Sequence, residues 1–231
     1  MASESAFNKR LTEETKMDKV EGLLEHFNLP PKAIDFIRTN QRMIQIGIAA
    51  IVIAVVCWSL YGSYRARITE EASSALSIAL QGEQDMQAEA LRAVADKYGS
   101  TSSALWARVE LAHLDMKKGS FGDASKKYEA ILPDVKTSNP LYPLVLFSLG
   151  QSKEGDKRYP EAFAQYDLLK NIKGYENIAY VGMGRLEEAQ GNTDKAISIY
   201  NNFILYMGDE PSFSQARAEI NTKIARLKAK Q

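Results

Sequence analysis

Few side chains in this sequence have the type and spacing that catalytic or metal chemistry needs. The two histidines, His26 and His113, stand 87 positions apart with no acidic-His motif around either. Neither a His-rich metal centre nor a Ser-His-Asp site is expected from them. A single cysteine, Cys57, removes internal disulfides and every multi-cysteine metal site. Gly182-x-Gly184 has the start of a phosphate-binding loop, but Glu187 stands where a third glycine belongs and no strand precedes it. Glu187-Glu188 is a pair of carboxylates only on paper, because neighbours on a helix point roughly 100° apart. No catalytic residue, metal or cofactor is therefore expected, and the chain reads as something other than an enzyme.

Charge narrows the ligand classes. Lys+Arg is 29 and Asp+Glu is 29 in 231 residues, a formal net charge of zero. Nucleic-acid binders carry a basic excess or a basic face, so nucleic acid is excluded as the main ligand. No small-molecule substrate is expected either, which leaves proteins and lipid. Hydrophobic residues are 45% and charged residues 25%, an ordinary globular balance.

One segment departs from that balance. Met43 to Tyr64, MIQIGIAAIVIAVVCWSLYGSY, contains no charged side chain. As a helix it spans about 33 Å, against a bilayer core of about 30 Å. Arg38 and Arg42 flank one end, Arg65 and Arg67 the other, and Trp58, Tyr61 and Tyr64 fall where amphipathic rings favour the headgroup level. A cleaved signal is not expected, since the run begins only at Met43 and no small-x-small pair follows it. The sequence predicts a single transmembrane helix over 43–64, with Cys57 as a small apolar residue in lipid. Lys32, Arg38 and Arg42 before the span against Arg65 and Arg67 after it lean towards a cytoplasmic N-terminus. Residues 65–231 hold no cysteine, in keeping with an oxidising compartment.

Residues 1–42 form an N-terminal tail. Met17, Val20, Leu23, Leu24 and Phe27 recur at helical spacing and predict an amphipathic helix at about 15–28, ended by Pro30 and Pro31. Its acidic residues make it a poor ligand for anionic lipid. A second helix is expected to start at Pro31 and run into the span.

Beyond Arg65 the chain repeats. Ala112, Gly150 and Gly184 each stand twelve positions before Ala124, Ala162 and Ala196, and Tyr128, Tyr166 and Tyr200 stand four after those. From Ala112 to Gly150 is 38 positions and from Gly150 to Gly184 is 34, a period that means stacked helical hairpins. The small residues sit where backbones approach closely, and the tyrosines fill the gap between repeats while keeping a polar tip for a partner. Lys118-Gly119-Ser120, Gly155-Asp156 and Gly191-Asn192 are the turns, with Gly119 and Gly191 suited to left-handed residues closing the first helices. Hairpins are predicted at about 66–98, 104–132, 142–171 and 177–207 within a repeat domain of 65–231. A capping helix over 212–230 is expected, opened by a Ser212-x-x-Gln215 capping box. Phe213, Ala216, Ile220, Ile224 and Leu227 face inward on it, and Arg217, Glu219, Lys223, Arg226 and Lys228 outward. The fold class is all-α: one N-terminal transmembrane helix, then an α-solenoid of hairpins with a C-terminal cap.

The Leu/Met-small pairs, the following Ala and the Tyr four later resemble the tetratricopeptide repeat. The pattern departs from it at the first-helix tryptophan, replaced by Arg108, Leu146 and Tyr180, and at the following aromatic, replaced by Asp115, Lys153 and Glu187. The resemblance implies a binding groove lined by the first helix of each hairpin. In this register the groove residues are Trp106, Val109, His113 and Met116; Leu144, Phe147, Gln151 and Glu154; and Ile178, Val181, Arg185 and Glu188. Their leading positions are apolar and their trailing ones mostly polar, as a groove with an apolar wall and a polar rim requires.

The order of anchor, aromatics, alanine-rich helix, Ala90 to Tyr98, and Gly99-Ser100-Thr101-Ser102-Ser103-Ala104-Leu105-Trp106-Ala107 is similar to a bacterial family. It resembles the ancillary subunit of the SecYEG translocon. That resemblance implies a single-pass protein of the bacterial inner membrane with a periplasmic repeat domain, working beside translocon subunits and periplasmic chaperones. The expected function is a membrane-anchored protein–protein interaction scaffold. A scaffold for cell-envelope or division machinery, and a self-assembling membrane organiser built on Gly47, Ala50 and Ala54, are the alternatives.

Overall fold

The computed structural model describes residues 39–229 together with residues 32, 36 and 37. The amphipathic helix expected at about 15–28 lies outside the described residues. Among the described residues there are nine α-helices, two short 3₁₀ turns and no strand. The chain divides into two units, residues 1–65 and 66–231.

Helix α1 runs Gln41–Gln81. The span and the first repeat helix, read from the sequence as separate segments, are therefore one continuous helix. No proline or glycine pair interrupts it, and Arg65 to Ile68 continue the helical ladder. From Met43 to Tyr64 every large apolar side chain except Ile44 is exposed, Trp58 at 83%. This helix is long and apolar enough to cross a membrane.

The second unit holds the end of α1 and eight more helices. They are α2 Gln84–Lys97, α3 Ser102–Lys117, α4 Phe121–Ile131, α5 Leu141–Gly155, α6 Tyr159–Leu169, α7 Glu176–Ala189, α8 Thr193–Met207 and α9 Ser214–Lys228. Helices α2 to α9 pack on their neighbours in chain order. Four apolar clusters form the core, and three of them join a hairpin to the first helix of the next. Ala72 and Ala79 of α1 meet Leu91 and Val94 of α2 and Ala104, Ala107 and Leu114 of α3. Ala112, Ala124 and Tyr128 continue to Val145 and Leu149 of α5. Leu146, Ala162 and Tyr166 continue to Ala179, Met183 and Leu186 of α7. Tyr200, Phe203 and Met207 of α8 close against Ile220, Ile224 and Leu227 of α9. Each hairpin leaves one apolar side uncovered until its neighbour arrives, which is why the units stack.

Three turns close the hairpins identically. Ser120 N–H donates to Asp115 O at 2.9 Å, Arg158 N–H to Lys153 O at 2.8 Å and Asn192 N–H to Glu187 O at 2.9 Å. These are 6→1 bonds of the Schellman kind, which need a left-handed residue at the penultimate position. Gly119 and Gly191 take it at φ +76°, but in the middle hairpin Lys157 does so at φ 59°. Gly155 instead makes room for an aromatic ring, since a Cβ there would stand 2.6 Å from Phe121.

The cap departs from expectation in two details. Ser212 lies inside a 3₁₀ turn, Pro211–Phe213, and its hydroxyl donates to Glu210 at 3.4 Å rather than capping α9. Pro211 starts that turn and delays the helix to Ser214, so Gln215 is too early in the helix to reach back; its amide turns to Glu219. Arg217, expected outward, folds onto the end of α8 and donates to Gly208 O.

Candidate protein-binding groove

The small residues of the repeat decide where the first helices go. A Cβ on Gly150 would sit 2.9 Å from the Tyr166 ring, and one on Gly184 only 2.3 Å from the Tyr200 ring. Tyr166 also lies against Gly182 of the next hairpin, at 3.0 Å from its Cβ position. Each tyrosine thus wedges against its own first helix, and Tyr166 bridges to the following one as well. Gly182-x-Gly184 is explained by this packing in the interior of α7, with no loop in which to cradle a phosphate.

Three cross-helix contacts then set α3, α5, α7 and α9 side by side. Ser148 Oγ of α5 lies 3.4 Å from His113 Nε2 of α3. Arg185 of α7 donates to Glu154 of α5 through Nε at 2.6 Å and Nη2 at 2.7 Å. Arg226 of α9 donates to Glu188 of α7 at 2.8 Å. The second and third contacts include a tyrosine hydroxyl: Tyr166 donates to Glu154 at 2.9 Å and Tyr200 to Glu188 at 2.7 Å. The result is a carboxylate clamped between a buried phenol and an arginine of the next first helix, twice over. Sequence reasoning missed these clamps, although Glu stands twelve positions before Tyr in both repeats.

Burial fixes the protonation states in the clamps. Removal from water pushes both phenols above their ordinary range, and the adjoining carboxylates push them further, so they donate at any physiological pH. The Arg185 guanidinium is raised by its hydrogen bonds to Glu154. Glu110 is held below the usual carboxylate range by His113, whose Nδ1 lies 3.6 Å away, against the opposing effect of burial.

The expected groove residues divide into three groups. Trp106, His113, Met116, Leu144, Phe147, Gln151 and Val181 are half-buried along this face, and Ile178 is exposed at 41%. Glu154, Arg185 and Glu188 are there too, but as members of the clamps. Val109 does not line a groove; it is fully buried in the cluster between α3, α4 and α5. The reason is its position on α3, where its side chain points at Ala112, Tyr128 and Val145 instead of away from them. Glu187, the other half of the carboxylate pair, accepts from Asn192 Nδ2 at 2.8 Å and so serves the turn. Among the described residues no group of three His, Cys, Asp or Glu side chains is placed to hold a metal.

These helical pairs, their register and their turns define a tetratricopeptide-like solenoid. The sequence profile of the tetratricopeptide repeat-like domain matches residues 35–228, and the chain belongs to that family. No curated protein sequence matches it. Among solved structures, the putative kinesin light chain of Podosopora anserina, with nearly identical TPR-like repeats, is 16% identical. It aligns over 70% of this chain and 85% of its own at a TM-score of 0.54, which establishes the shared fold. The type III secretion chaperone SycD of Yersinia enterocolitica, in complex with a peptide of the translocator YopD, is 17% identical over 56% of this chain and 95% of its own. Its TM-score is 0.44. A fold of this family is typical of protein-interaction scaffolds, and protein partners are what the chain's own surface suits.

Proposed function

We propose that the protein is a membrane-anchored interaction scaffold that holds a segment of a protein partner on the face shared by α3, α5 and α7. The observation that carries this reading is the row of half-buried apolar side chains, Trp106, Leu144, Phe147 and Val181, with exposed Ile178, beside the Glu154–Arg185 and Glu188–Arg226 clamps. Large aromatic side chains beside satisfied polar groups are what dominate protein interfaces. The anchor is the apolar half of α1, whose exposed side chains suit lipid better than water.

The finer reading is an inner-membrane protein with a cytoplasmic N-terminus and a periplasmic repeat domain, working beside the protein translocon and periplasmic chaperones. It rests on the sequence resemblance and on the excess of Lys and Arg before the span. Mild cross-linking in intact membranes, followed by identification of the co-purified proteins, tests it. Recovery of translocon subunits is the expected result; consistent recovery of division or wall-synthesis proteins instead overturns the translocon assignment. Trp106→Ala with Phe147→Ala is expected to weaken that recovery while the melting temperature falls little. Loss of folding in the double variant would make these residues core and end the groove reading.

A further inference from the structure

The helices of the second unit alternate in direction, which gives the unit two edges. In the first hairpin Leu80 O accepts from Gln87 Nε2 at 3.5 Å at one end, while Tyr98 lines a shallow recess with Arg67 and Glu71 at the other. Across the second hairpin Asp115 pairs with Lys127 and Arg108 with Asp134. Across the fourth, Tyr200 donates to Glu188 and Tyr206 to Glu176. Residue 66 therefore lies on the edge formed by the turns between hairpins, 98–101, 132–140, 170–175 and 208–213. In the sequence it stands two positions after Tyr64, the last residue of the uncharged run.

This edge carries apolar side chains that the core does not use. Phe203 and Met207 of α8 are buried, yet Leu205 between them is 78% exposed and Tyr206 53%. Near the end of α6, Leu169 is buried and Leu168 is 50% exposed. Tyr206 holds its hydroxyl on Glu176 at 2.9 Å and stacks on Phe203 with ring centroids 6.3 Å apart, so its ring is fixed at the surface. Lys136 and Lys173 are exposed in the turns of the same edge. The acidic side chains around them are engaged: Asp134 by Arg108, Asp167 by Lys170, and Asp209 by Arg217 at 3.9 Å.

We propose that this edge rests on a lipid surface, with Leu168, Leu205 and Tyr206 among the headgroups. This rests on the reading of α1 as an anchor. Two residues of helix are about 3 Å, so a span ending at Tyr64 delivers residue 66 at the bilayer surface. Tethering of that kind raises the effective concentration of lipid at the edge, and a few apolar side chains then suffice where a free domain would need more. Tyrosine and leucine suit the boundary between headgroups and acyl chains, and exposed lysines lay their stems there with the ammonium on phosphate. Continuity with the span selects lipid over a protein as the occupant.

The test uses the full chain in nanodiscs of phosphatidylcholine and phosphatidylglycerol that carry a nitroxide on the headgroup. In a Cys57→Ser background, an environment-sensitive fluorophore is placed singly at Ser63→Cys, Leu168→Cys, Leu205→Cys or Lys118→Cys; Lys118 lies in the turn between α3 and α4, on the opposite edge. Quenching at 168 and 205 is expected to reach at least half of that at 63 and several times that at 118. Leu205→Glu is expected to halve the quenching at 168 without lowering the melting temperature, since Leu205 is outside the core. Quenching at 63 with none at 168 and 205 would leave the anchor standing and overturn the inference. Equal quenching at 118, or an unchanged signal at 168 in Leu205→Glu, would overturn it too. A blue-shifted emission at 205 without quenching would put a second copy of the chain on the edge instead of lipid, and the inference fails there as well. No quenching at 63 would remove the anchor, and this inference with it.

Discussion

At Lys157 the backbone takes a conformation that its side chain opposes, because the turn needs a left-handed residue and the two other hairpins supply glycine there. Left-handed backbone costs a non-glycine residue about 1–2 kcal/mol, and glycine gives back about 0.5–1 kcal/mol through its greater freedom in the unfolded chain. Lys157 is exposed, so Lys157→Gly sacrifices no packing. The variant is expected to be more stable by about 0.5–1 kcal/mol, seen as a higher denaturant midpoint with an unchanged slope; a lower midpoint would mean the lysine side chain contributes there. One residue further on, Arg158 donates to Glu161 through Nε at 2.7 Å and Nη2 at 2.5 Å, and Lys153 Nζ donates to the same carboxylate at 3.0 Å. These bonds, Arg158 first, hold the Glu161 carboxyl at about 2. An unfolded glutamate titrates near about 4.3, so the stabilisation is complete above that value and is lost as pH falls towards 2. Glu161→Gln should therefore melt below the parent at pH 7, and the difference should close between pH 4 and pH 2. A difference that stays constant through that window contradicts the ion-pair account.

The second helices of the hairpins carry the tightest constraint at the scale of elements. Ala124, Ala162 and Ala196 are all fully buried, each beside the tyrosine of its own hairpin. Ala162→Leu adds three carbons where Tyr166 and its neighbours leave no room, and it is expected to cost about 1–3 kcal/mol. An unchanged melting temperature would mean that the interface is looser than its burial implies. This part of the architecture was readable from sequence because steric pressure leaves few residue types possible: alanine or glycine opposite a large ring, at a fixed spacing. Polar and conformational detail was not readable, since several residues satisfy it equally well. A lysine occupies a glycine's position at 157, and a 3₁₀ turn displaces the capping box at Ser212. Buried Lys153 stands at a position that favours an aromatic side chain in related repeats. It bridges Glu129 at 2.8 Å and Glu161 at 3.0 Å, which come from different hairpins. Val109 has the repeat position of a groove residue, but its burial among Ala112, Tyr128 and Val145 comes from the packing of α3 on α4 and α5, which spacing alone does not carry.

At the scale of the whole molecule the proposed anchor raises the question of which side of a membrane would carry the repeats. The apolar half of α1 presents its side chains outward all round, as a helix in lipid does, and it contains no charged residue between Met43 and Tyr64. Lys32, Arg38 and Arg42 precede it, and Arg65 and Arg67 follow. Positive charges near the ends of a span are retained on the cytoplasmic side, so the excess favours a cytoplasmic N-terminus. A bias of one charge is small, and the cysteine content adds to it: residues 65–231 contain none, which suits an oxidising compartment. Both arguments favour the proposed topology, in which residues 65–231 lie in the periplasm. A Cys57→Ser background allows single cysteines to be read cleanly, because Cys57 is the chain's one thiol. Ser5→Cys reports on the tail and Ser214→Cys on the exposed start of α9. In cells whose outer membrane has been permeabilised, an impermeant maleimide should label the cysteine at 214 directly and the one at 5 only after lysis. Labelling at 5 alone would invert the protein, place the groove in the cytoplasm and remove periplasmic chaperones from its possible partners.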